Sequence, residues 1–234
     1  MALAHKVEGN INGCGIRKNP QEVFTMELKK ELEKALIELR KNEERKFNQT
    51  VDLIINLQKF DAKKNQINIF VNVPFKIKEK KICAFLETQN KGLETITPEQ
   101  FKKYSDKKAL KKLVKNFDFF VGQASLMPKV ATTFGRVLGP AGKMPSPQLG
   151  ILSDVNEKEI NEIKKKINNS IRIRIKESSI KLAIGKQNMK DEEIIENILT
   201  VYNSILKAVP KEKDNIKNIE LKFTMTKPQK IILK

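Results

Sequence analysis

Few side chains in this chain are placed to do chemistry, and the most suggestive set fails on inspection. Gly139, Pro140, Ala141, Gly142 and Lys143 lie in the stretch Gly135 to Gly150, whose 16 residues hold four of the ten glycines and three of the nine prolines. The spacing invites comparison with a phosphate-binding loop, which needs glycine where Val137 stands and Ser or Thr where Met144 stands. Pro140, Pro145 and Pro147 also lack the backbone N–H groups from which a phosphate cradle is built. The same glycines and prolines predict a rigid architectural loop through which neither a helix nor a strand runs. His5 is the only histidine, and Cys14 and Cys83 stand without CxxC or histidine spacing, so no zinc set and no nucleophile–histidine pair can be assembled. The expectation is a protein with no catalysis, no cofactor and no metal, in a reducing, cytoplasmic setting.

Charge is the second signal. The chain carries 46 basic against 28 acidic side chains, a net +18, which favours a polyanionic partner, nucleic acid ahead of a membrane surface. A genome biased towards lysine codons would give the same total, so placement has to decide. Arg172, Arg174 and Lys176 alternate with Ile171, Ile173 and Ile175, and Lys222 and Thr224 alternate with Leu221 and Phe223. On strands of one sheet, that period of two presents cations at every second residue, in position to meet phosphates. The competing reading is that any one-sided antiparallel sheet turns polar residues outward. Phe101 to Asn116 carries seven lysines against one aspartate, opposite an apolar side of Phe101, Tyr104, Leu110, Leu113 and Val114, with a break near Ser105. Those lysines form either a solvated face or a nucleic-acid contact.

The elements that would hold these residues follow from periodicity. Asn19, Pro20 and Glu22 make a capping arrangement ahead of a helix through Leu28, Leu32, Leu36 and Leu39. Val51, Leu53, Ile55 and Leu57 form one face of a strand, and Ile67, Ile69, Val71 and Val73 one face of another that stops at Pro74, with a turn over Asp61 to Asn65. Short apolar runs at Ile82 to Leu86 and Phe117 to Val121 read as buried strands. A short helix at Ser125 to Thr133, interrupted near Pro128, and another at Asn156 to Asn168 flank the glycine-rich stretch. Strands at Ile171 to Lys176 and Ile180 to Ile184, the latter closed by Gly185, precede a helix at Asp191 to Val209 and a last strand from Ile219 to Met225. No apolar run approaches the roughly 18 to 20 residues of a membrane span.

One-sided strands occur only before Pro74 and after Asn169. This predicts an α/β protein of two domains. Residues 1–74 and 169–234 form a split two-layer α/β sandwich, with 1–18 as an arm, and residues 75–168 form an inserted three-layer α/β domain. The two adjacent crossings predict a hinge.

At this point the motifs resemble a family. Leu138 to Pro145, with Pro147, is similar to the LGPRGKMPxP signature of the ribosomal protein L-one family, and Arg45 to Leu53 is similar to its RKFxxTVxL segment. Leu126-Met127-Pro128, Ala183-Ile184-Gly185-Lys186 and Thr224-Met225 match at the expected places, so the resemblance covers residues 20 to 234. It implies a large-subunit ribosomal protein that binds the stalk of large-subunit rRNA and moves with it as deacylated tRNA leaves the exit site. Some members also bind their own mRNA and repress translation, which leaves a free RNA-binding regulator as the alternative. A monomer when free, ribosome-associated in the cytoplasm and away from membranes, is the expected state. The resemblance carries RNA contact onto Lys46, Phe47 and Thr50 at the entry of the first strand and onto Thr224 and Met225 on the last. Strand geometry adds Arg174, Lys176, Lys186 and Lys222. Phe47 either packs on the core or stacks on RNA. Thr226 is counted with these among the RNA-binding residues although it departs from the family glycine, and Lys227 to Lys230 follows it in a eukaryotic-looking run, while the signature is archaeal in type.

Overall fold

The computed structural model describes residues 20–42, 45–61, 67–89, 92–104, 106–147, 149–152, 157–175 and 177–231. The expected arm at 1–18, the Asn19 cap, most of the turn at 61–65 and Lys176 lie outside them. The first core grows from the leucine spacing. Helix α1 (Pro20–Arg40) buries Leu28, Leu32, Leu36 and Leu39, and α5 (Asp191–Ala208) buries Ile194, Ile195, Ile198, Val201, Tyr202 and Ile205. Both lie on an antiparallel sheet of order β10-β9-β1-β8, made of β1 (Thr50–Leu57), β8 (Ser179–Lys186), β9 (Ile216–Phe223) and β10 (Gln229–Ile231). Val51, Leu53, Ile55 and Leu57 face the helices, as their period of two demands. Acidic side chains in the first turn of α5 suit its positive end, and Arg40 at the end of α1 donates to Asp191 at 2.8 and 2.5 Å.

A separate two-stranded ribbon pairs β2 (Ile67–Asn72) with β7 (Ser170–Ile175), with β7 beside β8. The single open sheet expected to carry both Arg174 and Lys222 is therefore two sheets. Only the identity of strand partners, invisible to periodicity, separates the two arrangements.

The third sheet is parallel, in the order β4-β3-β5-β6: β3 (Ile82–Phe85), β4 (Glu94–Ile96), β5 (Phe119–Gln123) and β6 (Ile151–Leu152). Both of its faces are covered, which is why its strands read as solid apolar runs. Phe85 and Phe120 meet Phe101, Phe134 and Leu138 under α2 (Lys107–Asn116) and α3 (Met127–Ala141). Ile82, Ala84 and Val121 meet Ile160 and Ile167 of α4 (Glu157–Asn168) on the other face. The protein is thus a two-domain α/β fold, two layers in one part and three in the other. The lysine-rich segment divides at the expected break into a 3₁₀ turn (Pro98–Tyr104) and α2.

Four further expectations are corrected. Helix α3 runs through Gly135, Gly139 and Pro140, into the stretch read as loop, because Val130, Phe134 and Leu138 at intervals of four anchor it to the sheet. Gly135 and Gly139 face open space and cost only backbone entropy, while Pro140 sits in the last turn and removes a single bond. Pro128 opens this helix, where no N–H is needed, and does not interrupt it. Strand β8 continues through Gly185 to Lys186, since Gly185 pairs with Val51 beside a bulge and passes under Ile194, 3.1 Å from where a Cβ would lie. The last long strand ends at Phe223, leaving Thr224, Met225 and Thr226 in the turn that follows.

The two crossings between the parts are cross-linked by hydrogen bonds. Val73 N–H donates to Asn169 O at 2.7 Å. The buried Asn197 amide accepts from Phe75 N–H at 3.1 Å and donates to Phe75 O at 3.1 Å and Ile184 O at 3.2 Å. Lys80 Nζ donates to Ile167 O at 2.8 Å, in the last turn of α4, and to Ser170 O, at the start of β7. Burial pushes the Lys80 ammonium pKa down, with Asp118 opposing.

Candidate nucleic-acid interface

Gln49, Thr50 and the turn after β9 form a rigid corner of the split part. Gln49 is buried, and its side-chain oxygen accepts from Met225 N–H at 3.2 Å while its carbonyl accepts from Gln187 N–H at 2.8 Å. The Thr224 hydroxyl accepts from Thr50 N–H at 3.0 Å and donates back to Thr50 O at 3.4 Å, which clamps the turn to the entry of β1. The Thr226 hydroxyl accepts from Phe223 N–H at 2.9 Å and donates to Phe223 O at 3.4 Å. Thr226 keeps an ordinary negative φ, so threonine closes this turn where the family pattern has glycine.

This corner holds two apolar side chains in solvent. Phe47 is 50% exposed and Met225 62% exposed, so Phe47 does not staple the core. Lys46 is exposed beside it, and Asn42, Arg45, Gln49, Met225 and Thr226 line a polar hollow of about 270 Å³. The free face of the sheet continues outward from the corner, with Lys186 opposite Thr50 and Lys222 opposite Asp52. A groove of about 270 Å³ runs there between Asp52, Ile54, Lys181, Ala183 and Lys222. Burial raises the Asp52 carboxyl pKa, with the Lys222 ammonium opposing. Lys181 was missed in the sequence reading, although it alternates with Ile180 and Leu182 just as Lys222 does with Leu221 and Phe223.

Arg174 is not part of that face. It projects with Arg172 from β7 into a cleft of about 440 Å³ between the split and inserted parts. Arg172 donates through Nε to Asn68 at 2.9 Å and lies 5.3 Å above the Phe70 ring, a cation–π contact. Burial first, and the Arg174 charge second, lower the Arg172 pKa. Phe70 meets Phe119 of the third sheet edge-on at 6.2 Å.

The loop at the end of α3 closes the other side of the cleft, and its residues are occupied in holding structure. Gly142 has φ +69° and ends α3 in a Schellman turn, its N–H bonded to Gly139 O at 2.9 Å and Lys143 N–H to Leu138 O at 3.0 Å. A Cβ on Gly142 would lie 2.7 Å from Arg174 Nη1. Lys143 Nζ donates to Val114 O and Phe117 O, both at 2.7 Å, and so caps α2. Met144 packs against the second core, Pro145 is buried beside Gly150, and Pro140 and Pro147 are exposed.

Among the described residues no group of three His, Cys, Asp or Glu could hold a metal, and no helix is long and apolar enough to cross a membrane. The Cys83 thiol is buried and its pKa pushed up to about 12 by burial and by Glu94, so it stays protonated.

The model of the ribosomal protein L1p/L10e family matches residues 39–227. Relatives named large ribosomal subunit protein uL1 include one from Nanoarchaeum equitans, 36% identical over 197 residues, covering 80% of this chain and 92% of the relative. One from Pyrobaculum islandicum is 34% identical over 201 residues (81% and 87%), and one from Archaeoglobus fulgidus 35% identical over 214 residues (84% and 95%).

Proposed function

Because the chain belongs to the ribosomal protein L1p/L10e family, in its archaeal type, we propose that this structural protein of the large ribosomal subunit grips the stalk of large-subunit rRNA with the corner and free face of its split domain. On this reading the domain boundaries fall at Pro74 and Asn169, and the inserted domain rides with the stalk as deacylated tRNA departs. The same grip would take a similar fold in its own mRNA. The carrying observation is that Phe47, two residues before the buried Gln49, and Met225, on the turn bonded to Gln49 and Thr50, both stand in solvent, with Lys46 next to Phe47 and Lys186 and Lys222 on the strands that flank β1. Exposed apolar groups on a rigid support suit stacking on bases or riboses, and the lysines suit the phosphates beside them. Thr50 and Thr224 are assigned a positioning role, since their groups bond each other.

Titrating a stalk rRNA fragment at several salt concentrations tests this. Log affinity should fall with log salt by roughly 0.7 to 0.9 per phosphate neutralised. Phe47→Ala should weaken binding by about tenfold or more, the size of one lost stacking contact, with unchanged salt slope. Salt-insensitive binding, or a Phe47→Ala protein that binds normally, would remove the basis for this interface.

A further inference from the structure

The inserted part has a charge distribution that the grip described above does not use. Helix α2 exposes Lys108, Lys111, Lys112 and Lys115 while Leu110 and Leu113 are buried beneath it. Their spacing makes one stripe about 10 Å long at 1.5 Å per residue. Neighbouring α3 adds exposed Lys129 and Arg136, and neither helix contains an aspartate or glutamate. The other helices all carry carboxylates: Glu31 and Glu38 in α1, Glu159 and Glu162 in α4, Asp191 and Glu196 in α5. A lysine-rich composition would have acted on every helix alike, so it does not account for this segregation. Among the described ion pairs none involves α2 or α3. Like charges four apart, at 108 and 112 and again at 111 and 115, weaken a helix in isolation, and an external polyanion removes that penalty.

The C-terminal end of α2 also adjoins the cleft through Lys143. Lys143 Nζ binds carbonyls of the last turn of α2, and its neighbour Gly142 lies against Arg174 and Arg172. We propose that the α2/α3 face is a second RNA-binding surface, adjoining the cleft into which Arg172 and Arg174 project, that takes the sugar–phosphate backbone of a duplex RNA without reading its sequence. A duplex fits best because, among the described residues, the large exposed hydrophobics are Met26, Ile37, Phe47 and Met225, none on α2 or α3. No aromatic platform for single strands is offered there, and the apolar side of α2 is already buried, so no apolar face remains for a membrane. The proposal rests on charge placement alone and does not depend on the stalk reading.

The test uses the full chain with Lys108, Lys111, Lys112 and Lys115 changed to glutamine, which keeps helix propensity; circular dichroism confirms the fold. The probe is an arbitrary RNA duplex of about 20 base pairs, long enough to span successive minor grooves. A control removes the same charge elsewhere, at Lys29, Lys30, Lys41 and Lys207. The α2 variant should lose about tenfold or more in duplex affinity, and its salt slope should shrink by roughly two to four. The control should lose much less. Equal losses in both variants would mean that net charge, not this surface, binds RNA, and unchanged binding by the α2 variant would overturn the proposal outright. Tighter, α2-dependent binding to phosphatidylserine vesicles than to duplex would transfer the surface to membranes. Phe47→Ala should leave duplex binding intact, so failure of the stalk reading and failure of this one are separable.

Discussion

Asn197→Ala should destabilise the protein by about 2 to 4 kcal/mol and release the crossing between the two parts. The estimate follows from three hydrogen bonds made by one buried amide, to Phe75 N–H, Phe75 O and Ile184 O. Each contributes about 1 kcal/mol, and partners left unsatisfied out of water raise the cost. With a urea dependence of about 2 kcal/mol per molar, the midpoint should fall by about 1 to 2 M. Leucine at the same position fills most of the volume, so Asn197→Leu separates the polar loss from the cavity and should remain about 2 kcal/mol below wild type. Location matters as much as size. Tyr202 lies in the first core and Tyr104 against the second, so fluorescence in a Tyr104→Phe background reports the first part and in a Tyr202→Phe background the second. The Tyr202 transition should move more, because α5 loses its bond to Ile184 of β8, and the Phe75 amide should exchange faster in the native state. A loss under about 0.5 kcal/mol, or a Phe75 amide as protected as before, would refute the view that this side chain pins the crossing.

Gly142→Ala should cost about 1 to 2 kcal/mol in thermal or urea unfolding, because an L-residue is placed at φ +69°; the flexible Arg174 tip can move aside. Gly139→Ala faces open space inside the same helix and should be neutral or stabilising, so equal losses at both glycines would show that the left-handed turn is not the cause. For Asp52 the sign follows from a carboxyl whose folded pKa is raised: the folded state holds that proton more tightly, and stability declines as pH climbs through the raised value. Asp52→Asn should therefore be more stable than wild type at neutral pH, with the gap closing as pH falls towards the ordinary carboxylate range near about 4. Urea midpoints at paired pH values check this, and a pH-independent difference contradicts it.

Periodicity made most of the fold legible because its physical cause is local. Leu28 to Leu39, Val51 to Leu57 and Ile194 to Ile205 each bury one face, and an amphipathic period survives any choice of neighbours. Strand partnership is not local, so placing β7 on the sheet of β9 was an error that no window of residues could have corrected. The glycine and proline signals misled for a related reason. Propensity costs of about 1 kcal/mol for each glycine are outweighed when Val130, Phe134 and Leu138 bury against Phe85 and Phe120, and sequence shows the cost without the compensation. In the candidate site, exposure of Phe47 and Met225 was the missing quantity. Residue type identified them, and solvent contact separates packing from recognition.

Among the described residues, some lysines are used by the fold, on backbone carbonyls or on carboxylates such as Glu31, Glu79, Asp118 and Glu162, and others are not, and the division locates the surplus charge. Lys80 and Lys143 reach across the fold and end on backbone carbonyls at or near the last turns of α4 and α2. A helix C-terminus presents unpaired carbonyls and a partial negative charge, so a cation there is neutralised in place. Lys143 accordingly looks like a phosphate ligand in sequence and is a cap in structure. Lys46, Lys181, Lys186 and Lys222 around the split-part corner, and Lys108 to Lys115 on α2, have no such carbonyl ends among the described hydrogen bonds. Charge that the fold does not consume internally is left for a partner. Its concentration on a rigid corner and on a carboxylate-free helix pair, adjoining the cleft into which two arginines project, gives the net +18 of the whole chain a direction.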